Sequence, residues 1–441
     1  MKARQLAIHI LKSIDAINAY ADISIDHALK QAILSDSDRR LVHEIVNGTI
    51  RQSKKIQWAI TQFFQGKYHK APEAVRLVLE ISFYQILFLT KLPHYAVINE
   101  AVSIIKKQNG QFWANKVNAI LRNLIRHPEQ IDRPANEIQD VETIAIQFSH
   151  PEWMIERWVN RFGVENVKSL CAANNRSPDI TLRVNTLKTN RDDVRIKLHE
   201  FGIIARGSDY LPESIIINQM NHQVQHELLL PGLVAVQDES ASMVTRLLDP
   251  QPGELVYDLC AAPGGKTTHI SERAGDSCFV VAVDAQNSRL KRVKENVQRL
   301  GIVNCALVQA DARYFEAKAA DKVLLDVPCS GLGVLAKRVD LRWRRSLDDI
   351  KNISTIQEQI LEHASLLVKP DGVIVYSTCT IEPDENEKIV ESFLARHPEF
   401  TLENPVRWLP EAVVQQEKYL YTYPHIHGTD GAFAARIRKL K

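Results

Sequence analysis

The stretch "DLCAAPGGKTTHI", Asp258 to Ile270, carries paired glycines, a lysine and two threonines at what reads as a strand-to-helix turn. A phosphate-binding loop needs a glycine five positions before the one that precedes its lysine. That position is Cys260 here, so the pattern fails. What remains is a glycine turn that lets backbone approach a ligand, opening a helix whose free N–H groups suit an anion.

On either side the chain has a regular rhythm. The apolar runs "LVYDLC", "FVVAVDA", "CALVQAD", "KVLLDVP" and "GVIVYSTC" alternate with helical segments such as "SRLKRVKENVQRLG" and "TIQEQILEHASLLVK". Strands spaced by helices predict an α/β doubly wound, parallel, Rossmann-like domain over 231–441, with its ligand at the carboxyl ends of the strands. The runs end in Asp258 and Cys260, Asp284, Asp311, Asp326 and Cys379. An acid placed like Asp284 accepts ribose hydroxyls in such folds, and Asp311 is placed for an adenine amine. The expected cofactor site is the loop Cys260, Ala261, Ala262, Pro263, Gly264, Gly265 and Lys266, with Asp284, Arg289, Asp311 and Asp326. Alone, this pattern admits a dinucleotide or S-adenosylmethionine.

Two thiols favour the second. Cys329 follows the fourth run in "LLDVPCSGLG", three residues past Asp326, and Cys379 ends the fifth in "VYSTCTIEPDENE". Adjacent parallel strands bring both to one pocket. A cytosine C5-methyltransferase uses such a pair: a thiolate adds to carbon 6 and makes carbon 5 nucleophilic. Asp326 then holds the ring at N3 and the exocyclic amine, and a second thiol aids release of the enzyme. This chemistry does not say which thiol does which. Cys171, Cys278 and Cys305 read as small buried hydrophobes, and Cys260 as packing beside the cofactor.

The remaining chain is of a different kind. Residues 1–132 repeat apolar positions at helical spacing, with "VRLVLEISFYQILFL" (Val75 to Leu89) apolar on most faces, and predict an all-α domain beginning with a helix over the first 25 residues. A linker is expected over 133–146. "ITLRVNTL", "NRDDVRIKLHEFG" and "SIIINQ" predict a small α+β subdomain within 147–230. Residues 1–150 hold 19 Lys/Arg against 14 Asp/Glu, which hints at an anionic partner such as RNA. The six cysteines form no CxxC pair, no metal set is expected, and no run reaches the length of a membrane span. A cytoplasmic protein is expected.

At "DLCAAPGGKT", "DVPCSGLG" and "STCT…ENE" the chain resembles the RNA 5-methylcytosine methyltransferases of the Nol1/Nop2/Sun family. "QDESASMV" resembles the family's motif ahead of the first strand. The resemblance implies S-adenosylmethionine as cofactor, Cys379 as nucleophile and Cys329 as the releasing base. "LRVNTLK" (Leu182 to Lys188) is similar to the family's RNA-binding signature, which implies RNA contacts at Arg183 and Asn185. "RLVHEIVNGTIRQ" and "HYAVINEAVSIIKK" are similar to the NusB RNA-binding domain, and the middle subdomain to an RRM-like extension. A NusB-like domain on this core implies a cytosine of 16S ribosomal RNA, free or early in assembly, and a monomeric enzyme. The chain departs from the family at "LAKRVDLRWRR", with no proline, and at "DGAFAARI", with small residues in place of aromatics. The basic cluster with Lys337, Arg338 and Arg342 is still expected to meet backbone phosphates. Two other readings remain: a nucleotide-dependent oxidoreductase with no use for Cys379, and a non-catalytic RNA-binding assembly factor.

Overall fold

A computed structural model describes residues 2–17, 19–131 and 139–441. It divides into two units, Met1–Arg176 with Leu335–Arg344, and Ser177–Val334 with Arg345–Lys441.

The first unit is helical. Its centre is the helix Glu73–Phe88, whose Val75, Val78, Leu79 and Phe83 are fully buried, as the apolar run predicts. The long helix His94–Arg126 kinks at Gly110, where φ is +85°. The single helix expected over the first 25 residues is two, Ala3–Ile17 and Ala21–Gln31. The amide of Ala21 bonds Asp340 Oδ2 at 3.1 Å instead of continuing the first helix. Part of the expected linker, 133–138, lies outside the described residues. Its end is the helix Val141–Gln147, started by Asp140, whose side chain accepts from the Thr143 amide. The helices Glu152–Phe162 and Val164–Asn174, parted at Gly163, close the first stretch of this unit.

The second unit holds two sheets. Strands β1 (Ile180–Val184), β2 (Ala205–Gly207), β3 (Ser214–Ile217) and β4 (Val234–Val236) form an antiparallel sheet in the order β2-β3-β1-β4. The helix Arg191–Glu200 buries Val194 and Leu198 in the core of this subdomain. Strands β5 (Leu255–Asp258), β6 (Phe279–Asp284), β7 (Cys305–Gln309), β8 (Ala320–Asp326) and β9 (Val368–Thr378) are the five apolar runs, parallel, in the order β9-β8-β5-β6-β7.

The sheet is not parallel throughout. Strands β10 (Phe400–Leu402), β11 (Val414–Gln415), β12 (Tyr419–Thr422) and β13 (Ala432–Lys439) extend it, and β13 runs antiparallel to β9. Strand β13 lies between β9 and β12, and its Ala432, Phe433, Ala434, Ala435 and Ile437 are buried. Its interior Arg436 is tolerated because Glu403 takes its Nε at 2.6 Å and the carbonyls of Leu247 and Leu248 take its Nη1.

Candidate active site

Strand β5 delivers Asp258, which is fully buried. Thr267 Oγ1 donates to its Oδ2 at 2.7 Å, while Oδ1 has no partner. Burial pushes this carboxyl up to about 7. The chain then turns at Gly264, where φ is +98° and an added Cβ would stand 3.1 Å from Val293. The helix Gly265–Arg273 starts there, and its first amides have no intrahelical partners.

Strand β6 brings Asp284 beside that turn, 4% exposed. Asp284 accepts from the amides of Ala262 (3.3 Å) and Gln286 (3.0 Å), and Arg289 lies 3.6 Å away while donating to the Ala262 carbonyl. A carboxylate offers about four acceptor sites, so Asp284 keeps capacity for hydroxyls. Asp311, just past β7, is held by Arg313 at 2.6 Å. The Cys260 thiol is pushed well up by burial, which suits packing and not reactivity. The orphaned Asp258 oxygen, the free amides and Asp284 make a polar cradle that fits S-adenosylmethionine.

Strands β8 and β9 lie side by side with Asp326 opposite Ser377, so the loops after them converge. Cys329 Sγ stands 3.1 Å from Cys379 Sγ, and the Cys379 amide points at Cys329 Sγ at 3.4 Å. Gly333 fixes this turn: its amide donates to the Cys379 carbonyl, and a Cβ would collide with the Gly431 carbonyl. Asp326 takes Lys266 Nζ on one oxygen at 2.7 Å and Ser377 Oγ on the other at 3.2 Å. Lys266, expected to hold cofactor, is therefore paired with Asp326. Burial opposes its charge, but Asp326 outweighs that and raises its pKa. The Cys329 thiol is pushed well up by its hydrogen bond with Cys379 and by burial, so Cys329 keeps its proton. The surrounding residues Glu385, Asn386 and Gln357 were not singled out from the sequence; the "ENE" following Cys379 was the available signal.

Three expected RNA contacts are corrected. Arg183 is fully buried: Nε and Nη2 grip Glu272 at 3.0 and 2.7 Å, and its other donors meet Gln237, Thr268 and the Gly265 carbonyl. It ties β1 to the helix of the cofactor loop. Asn185 is also buried, donating to the carbonyls of Gly232 and Leu300 and accepting from the Leu187 amide. Arg342 is buried in the helical unit, where it donates to the carbonyls of Arg51, Ser149, Asn174 and Leu335 and to Asn175 Oδ1. Burial beside Arg51 lowers its pKa to about 9. Lys337 and Arg338 are exposed, with Arg338 paired to Asp22 at 2.7 Å.

Residues 245–438 match the family model described as 16S rRNA methyltransferase RsmB/F. A probable ribosomal RNA small subunit methyltransferase B of Synechocystis sp. is 36% identical, with 100% of both chains covered. The chain belongs to this RsmB/F family. As an RsmB/F methyltransferase it acts on ribosomal RNA and uses S-adenosylmethionine. A Bacillus subtilis relative with the same probable name is 33% identical, covering 99% of this chain and 98% of its own. The RsmB/F core is preceded by matches to the NusB family over 1–126 and to the RsmF/B-like ferredoxin-like domain over 150–225. Among solved structures, PH0851 aligns over 100% of this chain and 99% of its own, with a TM-score of 0.79 and 28% identity. NSun6 from Pyrococcus horikoshii with SFG, an S-adenosylmethionine analogue, covers 65% of this chain and 97% of its own, with a TM-score of 0.60 and 26% identity. Among the described residues, no helix is long and apolar enough to cross a membrane.

Proposed function

We propose that this methyltransferase modifies carbon 5 of a cytosine in 16S ribosomal RNA, in the cytoplasm and as a monomer. The observation that carries the reading is the 3.1 Å approach of Cys329 and Cys379 beside Asp326. Bound S-adenosylmethionine supplies an electrophilic methyl sulfonium; the cradle of Asp258, Asp284, Asp311 and the amides after Gly264 holds it.

The protein's own groups prepare the base. Asp326, anchored by Lys266 and Ser377, hydrogen-bonds the ring at N3 and the exocyclic amine and favours the protonated ring. The Cys379 sulfur bonds carbon 6 as its thiol proton passes to ring N3 beside Asp326, and the carbon 5–carbon 6 π pair moves onto carbon 5. Once the methyl group is on carbon 5, the proton left there passes to Cys329. Its C–H pair re-forms the double bond as the carbon 6–sulfur pair leaves with Cys379, which takes back the N3 proton. The raised Cys329 thiol, hydrogen-bonded to Cys379 and buried, supports this order, with Cys379 as the attacking sulfur. When Cys379 is bonded to carbon, the hydrogen bond that held the Cys329 proton is gone; Cys329 releases that proton to solvent and, as the thiolate, takes the one from carbon 5. An assembly factor without catalysis has no need of this arrangement.

The test is incubation with unmodified 16S RNA and methyl-labelled S-adenosylmethionine, followed by nucleoside analysis. Label in 5-methylcytidine is expected. Label in another nucleoside would sink the two-thiol mechanism.

A further inference from the structure

The two thiols stand on separate loops, and two consecutive residues reach one loop each. Glu385 and Asn386 are polar, yet both are completely buried. Glu385 ends the short turn Pro383–Glu385 that follows β9. Its carboxylate accepts from the Ser330 amide at 2.7 Å, from Ser330 Oγ at 2.5 Å and from Gln357 Nε2 at 3.2 Å. Gln357 also donates to the Pro328 carbonyl at 2.9 Å, and Arg345 Nε to the Ser330 carbonyl at 2.9 Å. The backbone on both sides of Cys329 is thus fixed by side chains, with Glu385 as their hub.

Asn386 does the same for the other thiol. Its Oδ1 accepts from Thr378 Oγ1 at 2.6 Å, and its Nδ2 donates to the Thr380 carbonyl at 3.0 Å and to Tyr421 Oη at 2.9 Å. Thr378 and Thr380 flank Cys379, so one carboxamide grips the residues on either side of it. The networks touch where Ser330 Oγ meets Thr380 Oγ1 at 2.9 Å.

We infer that Glu385 and Asn386 are positioning residues that divide the covalent cycle: Glu385 sets Cys329 for release, and Asn386 sets Cys379 for attack. The inference rests on the thiol roles proposed above. Attack forms the Cys379 sulfur–carbon 6 bond and shifts the ring π pair to carbon 5. Release moves the carbon 5 proton to Cys329 and returns the carbon 6–sulfur pair to Cys379. A displaced Cys329 slows only the second step; a displaced Cys379 slows the first.

The experiment uses full-length protein, unmodified 16S RNA and methyl-labelled S-adenosylmethionine. It reads first-turnover label, steady-state turnover and the covalent protein–RNA band on a denaturing gel, with calorimetric cofactor affinity as the folding control. Glu385→Ala is expected to leave first-turnover transfer nearly intact, slow turnover by about 10- to 100-fold and accumulate the covalent band, the scale of a 1 Å misplacement. Glu385→Gln, which keeps an acceptor for the Ser330 amide, should restore most of that turnover. Asn386→Ala is expected to slow the first turnover by a similar factor with no band. If an alanine variant loses cofactor binding it is misfolded, and the isosteric Glu385→Gln and Asn386→Asp must show the same split at smaller size. Equal loss of both steps in folded variants, or a band that builds in the Asn386 variants, overturns the division. Cys329→Ala and Cys379→Ala are run alongside. If the first forms no band, or the second still forms one, the thiol roles fail and the division falls with them.

Discussion

The carboxyl end of the large sheet and the anchor in β1 are both polar and both lie in motif-like sequence, yet they differ in spare bonding capacity. Asp326 is about a third exposed, and Asp258 has an oxygen with no partner. Arg183 and Asn185 are completely buried, with their side-chain donors engaged by neighbours from distant sequence. A side chain whose hydrogen bonds are already made holds the fold; one with capacity left over can meet a ligand.

The strongest way to break this contrast is at the thiols. Cys379→Ala should lower methyl transfer roughly 10⁴-fold or more, the scale of losing a nucleophile, in a radiolabel assay with unchanged cofactor affinity. Activity within tenfold of the parent would leave the site without its central residue. Next in size, Arg183→Ala strands Glu272 as a buried unpaired carboxylate and should cost about 3–5 kcal/mol in denaturant unfolding. The reverse outcome, full stability with weaker RNA binding, would restore Arg183 as an RNA contact. Asp284→Ala should weaken S-adenosylmethionine by about 10- to 100-fold in calorimetry, as lost hydrogen bonds to a charged group imply, with RNA affinity unchanged.

Smaller effects sharpen the same line. Replacing Lys337 and Arg338 together by alanine should lower the salt dependence of RNA binding by about one unit of slope for each phosphate left without its cation. An unchanged slope would remove this segment from the interface. Last, Asp258 binds a proton in the folded state that the unfolded chain releases above about 4, with its folded value at about 7. Its stabilising share is therefore complete below about pH 4 and is lost as pH rises through about 7. Asp258→Asn does not titrate, so its melting temperature should gain on the parent between pH 5 and 8, by a few °C on the scale of about 2–4 °C per kcal/mol. Parallel melting curves would contradict the raised carboxyl.

What the sequence disclosed follows from these physics. The five parallel strands were legible because each is an apolar run closed by an acid or a thiol, and the candidate site was drawn from those same closing residues. Strand β13 was not, since "AFAARIRK" carries two arginines whose charges are met by Glu403, more than thirty residues away. Arg183, Asn185 and Arg342 misled for a related reason. A basic or polar residue inside an RNA-like motif looks the same whether it meets phosphate or a carbonyl hundreds of residues distant. Only long-range pairing separates the two, and no local pattern encodes it. Glu385 and Asn386 were quoted within a motif, but their separate partners emerge only when β8 and β9 lie side by side.

The segment Leu335–Arg344 belongs to the helical unit although the rest of that unit ends at Arg176. Through it, Arg342 reaches the carbonyls of Arg51, Ser149 and Asn174, and Trp343 that of Ile50. On the ribosome those carbonyls emerge first, and the residues that meet them follow only 168 to 293 residues later. At ordinary synthesis rates that is a wait of about 10–60 s. The amino-terminal helices are thus born unfinished, and a gene fragment ending near residue 176 encodes a unit with its last piece missing.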